Sequence, residues 1–323
     1  MSIGNLVVGR GHLHASRGFL EDGSVVVAEG RIVFVGPDSQ VPKKITAPSS
    51  GRTIGTEDMP VLNAQGCVIS PGFVEVHMHG GGGREVMDAS LESLRTMAQA
   101  HARHGTTAFL AGSVTAPQAA LEAVAEAIKE ATGASKSPDW NGARVLGLHL
   151  EGPYLSDEKR GAQNPAYLRS PSREEIERII DILGADLRHI TLAPELPGAL
   201  EIIPWLRERN IRVALGHSAA DYDTAMKAIA AGADHATHTY NGMVSLHHRE
   251  PGVLGAVLSH DAVTAELIAD GVHVHPGALR VVWKAKGTAH TCLVTDAGMA
   301  MDMPDGRYML GELPVEVKDG VCR

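Results

Sequence analysis

The sequence predicts an α/β fold, a TIM-like parallel (β/α)8 barrel that follows a small all-β region. Three observations predict it. Up to about Val68 the apolar runs are short, β-branched and separated by turn residues, whereas after Pro71 strand-like runs alternate with helical ones. The strand-like runs number eight, the count that closes a parallel barrel with helices outside. The polar residues that end those runs also form one coherent chemical set, and chemistry belongs at the C-terminal ends of barrel strands.

The elements follow in order. From Ile3, NLVVG and then SVVVAEGRIVFVG, hinged at Glu29-Gly30, read as a meander of strands. PKKITAPSSGRTIGTEDMP is rich in Pro, Ser, Thr and Gly and reads as a surface excursion before VLNAQGCVISPGF. The eight barrel runs are VISPGFVEVHMH, TTAFLAGS, ARVLGLHLEG, HITLAPE, IRVALGHS, DHATHTYN, VTAELIAD and TCLVTDAG. Between them, QAALEAVAEAIKEATG repeats Leu121, Val124 and Ile128 at helical spacing, with Gly133 as its stop signal. In SREEIERIIDIL, Ser172 and Glu175 predict a capping box, and Ile176, Ile179, Ile180 and Leu183 a buried stripe. DYDTAMKAIAAG is bounded in the same manner by Asp221 and Gly232.

Composition narrows the function. The chain has 323 residues, 44% hydrophobic and 21% charged, enough to bury a large core. A net charge of -9 and a pI near 6.0 provide no basic field, so nucleic acid is not an expected partner. Cys67, Cys292 and Cys322 are widely separated and form no C-x-x-C pair, which fits a reducing compartment and an ordinary core role. The N-terminus carries no basic segment leading into a sustained apolar stretch, and no apolar run reaches membrane-spanning length. A cytoplasmic protein without a membrane partner is the expectation. The unusual count is 17 histidines, since imidazole is both a metal ligand and a proton carrier.

In VEVHMHGGGG, strand parity puts His77 and His79 on one face and Val76 and Met78 on the other. An isolated His-x-His is more often a polar strand end, and His12/His14 and His273/His275 repeat the pattern elsewhere. The other strand ends distinguish this copy. Glu151 ends strand three, His217 strand five, His238 strand six and Asp296 strand eight. Histidines and carboxylates converging from several strands are a ligand set for Zn²⁺ or a similar divalent ion.

PGFVEVHMHGGGG, GLHLEGPYL, GHSAA, THTYNGM, DGVHV and VTDA, in that order, resemble the signature segments of the N-acetylglucosamine-6-phosphate deacetylase family of the amidohydrolase superfamily. The resemblance implies a metal-dependent hydrolase barrel flanked by a small β-sandwich built from both chain ends. It implies removal of acetate from N-acetylglucosamine 6-phosphate, with Glu151, His217 and His238 as metal ligands and Asp296 as the acid/base. Because His77 and His79 are kept, a second ion with Glu151 as bridge is expected; zinc is the first choice, with Fe, Co, Mn or Ni as alternatives. Asn241, Gly242, His273 and, in GAQNP, Ala162 and Gln163 become substrate contacts, and Arg249 becomes the phosphate anchor, often acting across a homodimer interface. His247 and His248 match no family role, and His12 and His14 are expected to be structural.

The pattern has two departures. Gln163 stands where the family usually has a histidine that polarises the substrate carbonyl; an amide donates a hydrogen bond but carries no charge, so reduced turnover or an altered substrate would follow. The resemblance ends at VEVKDGVCR, whereas family members continue through a Gly-Ser segment, the last barrel helix and closing sandwich strands, so the C-terminal part is expected to be truncated. The expected division is 1–68 for the start of the sandwich, 69–300 for the barrel and 301–323 for the first returning strands. Two alternatives compete, namely another amidohydrolase acting on a different amide and a weakened sugar-phosphate-binding protein. Against the first, many such relatives use a carboxylated lysine on strand four, and HITLAPE has none.

Overall fold

All eight predicted barrel strands form. They are β1 (Phe73–Met78), β2 (Thr106–Ser113), β3 (Arg144–Glu151), β4 (Leu187–Leu192), β5 (Arg212–Leu215), β6 (His235–Ala236), β7 (Thr264–Ile268) and β8 (Thr291–Val294). Each pairs in parallel with the next. The structure is a computed structural model that describes residues 4–15 and 18–322, so Ile3, the predicted start of the meander, and Arg323 lie outside the described residues. Contacts divide the chain into two units, Met1–Gly72 and Phe73–Arg323.

No ladder joins β8 to β1 among the described residues, and the barrel closes there by other means. Just past β8, Asp296 N donates to His77 O at 2.9 Å, and His79 N and Gly80 N both donate to Ala297 O at 2.8 Å. One oxygen of the buried Glu75 accepts from Thr295 N and the other from His77 N, each at 2.9 Å. A buried carboxylate with two backbone donors therefore replaces part of the missing ladder.

Seven helices follow the first seven strands: α1 (Leu91–Arg103), α2 (Gln118–Ala134), α3 (Arg173–Leu183), α4 (Ala199–Glu208), α5 (Tyr222–Ala231), α6 (Gly252–Ser259) and α7 (Pro276–Lys286). Their apolar faces meet the strands in one continuous core, where Leu121, Val124 and Ile128 of α2 and Ile176 and Ile179 of α3 join Phe109, Leu148 and Ile190. Each such side chain contributes about 1.5 to 3 kcal/mol when fully buried. Asp221 caps α5 by accepting from Thr224 N at 2.7 Å, and Gly232 ends it at φ 122°, as expected.

Two local expectations are corrected. Helix α2 passes through Gly133 and ends at Ala134 with Ser135 as its cap, because four buried side chains of its last turns outweigh glycine's preference for a stop. Ser172 caps α3, but the Glu175 carboxylate binds Arg169 Nε at 2.9 Å instead of reaching back, so the capping box is half formed.

In the first unit, Leu6–Ala15, Gly18–Ala28 and Arg31–Pro37 form an antiparallel meander, with Val61–Asn63 and Val68–Ile69 added in parallel to the first. Glu29 and Gly30 both have positive φ, 49° and 73°, the backbone of a tight hairpin turn. The predicted surface excursion is ordered: Lys44–Thr46 pairs with Thr53–Gly55, and Ile45 enters the small core with Val7, Val26 and Met59. His12 and His14 lie exposed on the first strand. Cys67 and Cys322 are exposed rather than in a core.

After β8 the chain forms a separate three-stranded antiparallel sheet, β9 (Gly306–Leu310), β10 (Leu313–Lys318) and β11 (Val321–Cys322), in the second unit. No helix among the described residues is long and apolar enough to cross a membrane.

Candidate active site

The strand ends deliver six side chains to one point. His77 lies on β1 and His79 one residue beyond it, Glu151 is the last residue of β3, and His217, His238 and Asp296 each sit two residues past β5, β6 and β8. Those last three adopt positive φ, 47°, 27° and 50°, which is uncommon for side-chain-bearing residues and costs on the order of 1 kcal/mol or more each. Strain concentrated at three strand ends marks them as functional positions.

The donor atoms form two triads that share Glu151, namely His77, His79 and Glu151, and Glu151, His217 and His238. Glu151 Oε1 lies 3.3 Å from His77 Nε2, 3.3 Å from His217 Nε2 and 3.2 Å from His238 Nε2. Its other oxygen is 3.2 Å from His79 Nε2. Asp296 Oδ1 sits 3.1 Å from His79 Nε2 and 3.5 Å from His77 Nε2. The Asp296 side chain is 25% exposed and the His and Glu side chains at most 8%, so it is the site carboxylate that meets solvent.

The tautomers follow from acceptors. His77 Nδ1 faces Glu266 Oε2 at 3.0 Å, His79 Nδ1 faces Gly112 O at 2.9 Å and His217 Nδ1 faces Lys159 O at 2.8 Å. Each acceptor lacks a proton to give, so each Nδ1 carries the hydrogen and each Nε2 presents its lone pair inward. His77 Nε2 and His79 Nε2 are only 3.2 Å apart, and His217 Nε2 and His238 Nε2 only 3.0 Å, both pairs facing the Glu151 carboxylate. Lone pairs crowded against an anion in a buried site need cations between them. That donor set, neutral imidazoles with a shared carboxylate, fits divalent metal ions.

The electrostatics state the same demand. Burial disfavours charge on His77, yet Asp296 and Glu151 hold its imidazole well above the ordinary value. His79, likewise opposed by burial, is pushed up to about 10 by Asp296 and Glu151. Conversely, burial would raise the two carboxyls, but the imidazoles, His77 foremost, hold Glu151 well below its usual range and Asp296 at about 2.

The remaining expected residues divide. Gly242 is required sterically: at φ 59° a Cβ there would lie 2.9 Å from His217 Nδ1. Asn241 turns its amide to His238 O at 3.2 Å. Gln163 is buried with both ends of its amide engaged, Nε2 donating to Glu151 Oε2 at 2.7 Å and Oε1 accepting from Thr115 N at 2.7 Å. Ala162 and His273 line a cavity of about 520 Å³ together with His79 and Asp296, and His273 Nδ1 pairs with Asp270 Oδ2 at 2.6 Å. Arg249 is exposed and borders a different hollow, beside Tyr222, Val244 and Pro251, outside the cluster. His247 and His248 are exposed, their rings 4.3 Å apart.

The β9–β10 turn is tied over the mouth. Glu85 accepts from Gly311 N at 3.0 Å, and Glu312 accepts from Tyr167 Oη at 2.9 Å and Asn164 Nδ2 at 3.2 Å. Met309, Leu310 and Val315 thereby form an apolar wall of the cavity that Asp296 enters.

Sequence reasoning missed a buried polar layer beneath the site. His149 and His189 stack at 4.3 Å, both kept neutral by burial, and His149 Nε2 meets Thr191 Oγ1 at 2.8 Å. Glu266 and Glu75 are also in this layer. The signal was available, since a histidine or glutamate in the middle of an otherwise apolar barrel strand points inward and needs a partner.

Comparison with known proteins adds independent findings. The amidohydrolase family pattern matches residues 68–305. The N-acetylglucosamine-6-phosphate deacetylase of Vibrio furnissii is 45% identical over 253 residues, 78% of this chain and 62% of that protein. The N-acetylgalactosamine-6-phosphate deacetylase of Escherichia coli O157:H7 is 37% identical over 311 residues, 96% of this chain and 76% of that protein. The solved structure of N-acetyl-D-glucosamine-6-phosphate deacetylase from Mycobacterium smegmatis aligns with a TM-score of 0.86 at 33% identity, covering 98% of this chain and 78% of that one. The chain thus spans between about three fifths and four fifths of the length of these relatives.

Proposed function

We propose, from the premise that this chain belongs to the amidohydrolase family, that it hydrolyses the acetamide of N-acetylglucosamine 6-phosphate to glucosamine 6-phosphate and acetate. The observation that carries this reading is the pair of triads sharing Glu151 beside a solvent-reached Asp296. The E. coli relative, named for the 4-epimer, makes N-acetylgalactosamine 6-phosphate a second reading.

His77, His79 and Glu151 would hold one divalent ion, and Glu151, His217 and His238 the other, with zinc best suited to these donors. When bound, such ions acidify water and polarise an amide carbonyl, the two deficits of uncatalysed amide hydrolysis. Asp296 receives the proton of the attacking water as the new C–O bond forms, then delivers it to the amine nitrogen as the C–N bond breaks. The surrounding imidazoles hold its carboxyl below the usual range, so Asp296 is ionised at neutral pH. His273 and Ala162 border the sugar, and Asn241 and Gly242 shape the loop beside it. Gln163 acts on the carbonyl only indirectly, through the Glu151 carboxylate that it holds.

Arg249 anchors the phosphate from a homodimer partner's side, since a guanidinium matches phosphate oxygens bidentately. A cytoplasmic setting, where sugar phosphates are metabolised, and the division into 1–68, 69–300 and 301–323 belong to the same proposal. The test supplies the chain, with its metal content measured, with both epimers and with unphosphorylated N-acetylglucosamine, and records amine release. Turnover of a phosphorylated epimer supports the reading; a metal-loaded chain that releases amine from neither epimer defeats it.

A further inference from the structure

Glu266 lies in the middle of β7, fully buried, and belongs to neither triad. One of its oxygens serves both. Oε2 lies 3.0 Å from His77 Nδ1 and accepts from the His238 backbone N–H at 3.3 Å, so a single atom touches a histidine of each triad. The Glu266 carbonyl also accepts from Thr239 N at 2.8 Å, fixing the end of β6 against β7 where His238 leaves the strand. The other carboxylate oxygen, Oε1, has no donor within hydrogen-bond distance; His189 Nδ1 lies 3.9 Å away.

We propose that Glu266 is a positioning residue that couples the two triads, locking His77 in the Nδ1–H form and holding the His238 backbone so that both present Nε2 to their ions. The inference rests on the proposed function only in taking the triads as metal ligands. It is specific to His77 among the β1 histidines, because His79 takes its tautomer from a backbone carbonyl that no side-chain substitution removes. Buried partners of metal-binding histidines characteristically alter metal affinity by about 10- to 100-fold when removed.

The geometry selects the variants. In Glu266→Gln the amide oxygen can take the place of Oε2, and the amide nitrogen falls where Oε1 has no donor to clash with, so the tautomer lock survives. Glu266→Leu keeps the volume and removes the acceptor.

Metal-free protein titrated with Zn²⁺ against a chromophoric chelator reads stoichiometry and affinity without reference to turnover. Wild type and Glu266→Gln are expected to take two ions each, and Glu266→Leu to bind both more weakly, the His77 ion by about 10- to 100-fold. His77→Ala should weaken that ion by less in the Glu266→Leu background than in wild type, because both changes act through one ligand. Nitrogen-15 spectra of the zinc-loaded wild-type histidines, which need no variant to fold, should show His77 protonated at Nδ1 only. Native uptake of both ions by Glu266→Leu, equal impairment by Gln and Leu, or a His77 proton on Nε2 overturns the role of Glu266 alone. Wild type that takes up no ion defeats the metal reading and this proposal together.

Discussion

Strands β1 and β8 carry opposite demands on their two faces. Toward the barrel axis, Glu75 and His77 are buried, and the backbone groups just past β8 that close the seam meet partners. At the start of β1 and on the outer side of the seam, Phe73, Val74 and Leu293 are exposed by 65%, 54% and 63% beside a hollow of about 450 Å³, and no helix follows β8 among the described residues. Polarity inside is tolerated because it is compensated, whereas apolar surface outside remains in contact with water. The first arrangement stores function; the second is a liability for association.

The largest effect should come from breaking the inner side where it opens to solvent. Asp296→Asn keeps the shape of the carboxylate and removes its ability to accept a proton, so turnover should fall by about 10²- to 10⁴-fold. Metal content, measured in the same preparation, should stay near that of wild type. Native turnover would remove Asp296 from the mechanism.

Gly242→Ala sharpens the same comparison from the backbone. Its Cβ would lie 2.9 Å from His217 Nδ1 and 3.3 Å from Lys159 O, the two atoms of the bond that fixes the His217 tautomer. Zinc affinity of the Glu151, His217 and His238 triad is expected to drop by about 10-fold or more. The positive φ of 59° adds roughly 1 kcal/mol of strain for any side chain. Unchanged zinc uptake would show that the loop yields instead.

How much of this was legible in the sequence depended on the range of the cause. The eight strands and the strand-end residues could be read because alternation and strand parity are local. Asp221 and Ser172 were readable as caps for the same reason. Glu175 was misassigned because Arg169 and Tyr154, held near it only by the fold, compete for its carboxylate. The place of Glu266 in an apolar strand was legible, but its partners were not, because they lie 189 and 28 residues away. The hairpin at Lys44–Thr46 was missed because composition reports turns without reporting what packs between them.

A smaller effect is expected at Asp234, at the opposite end of β6 from His238. Burial opposes its ionisation, but His235, Arg212 and Arg207 outweigh burial and hold the carboxyl at about 2, below the ordinary 3.8. A lowered folded value means that the contribution is fully present above the ordinary value and is lost as pH falls through the folded one. Asp234→Asn should therefore cost about 1 kcal/mol at neutral pH by chemical denaturation, with the gap from wild type narrowing below pH 3.8 and closing near pH 2. A gap that does not change with pH would mean that packing, rather than charge, is what the substitution removed.

The smallest effect on stability should come from the outer face of the seam, and its smallness is what sharpens the comparison. Phe73→Ser and Leu293→Ser remove side chains that are mostly in water already, so the folded state loses little burial and unfolding free energy should change by no more than about 0.5 kcal/mol. Ile190→Ala, on β4 and fully buried in the core, should cost about 2 to 5 kcal/mol through lost transfer energy and the cavity left behind. Self-association should show the reverse ranking. The serine variants shrink an exposed apolar patch and should lower concentration-dependent association in light scattering, while a folded Ile190→Ala variant leaves that patch intact and should associate as wild type does. If Phe73→Ser and Leu293→Ser instead destabilised the chain as much as Ile190→Ala, the outer face of β1 and β8 would have to be packed in solution, and the contrast between the two faces would fail.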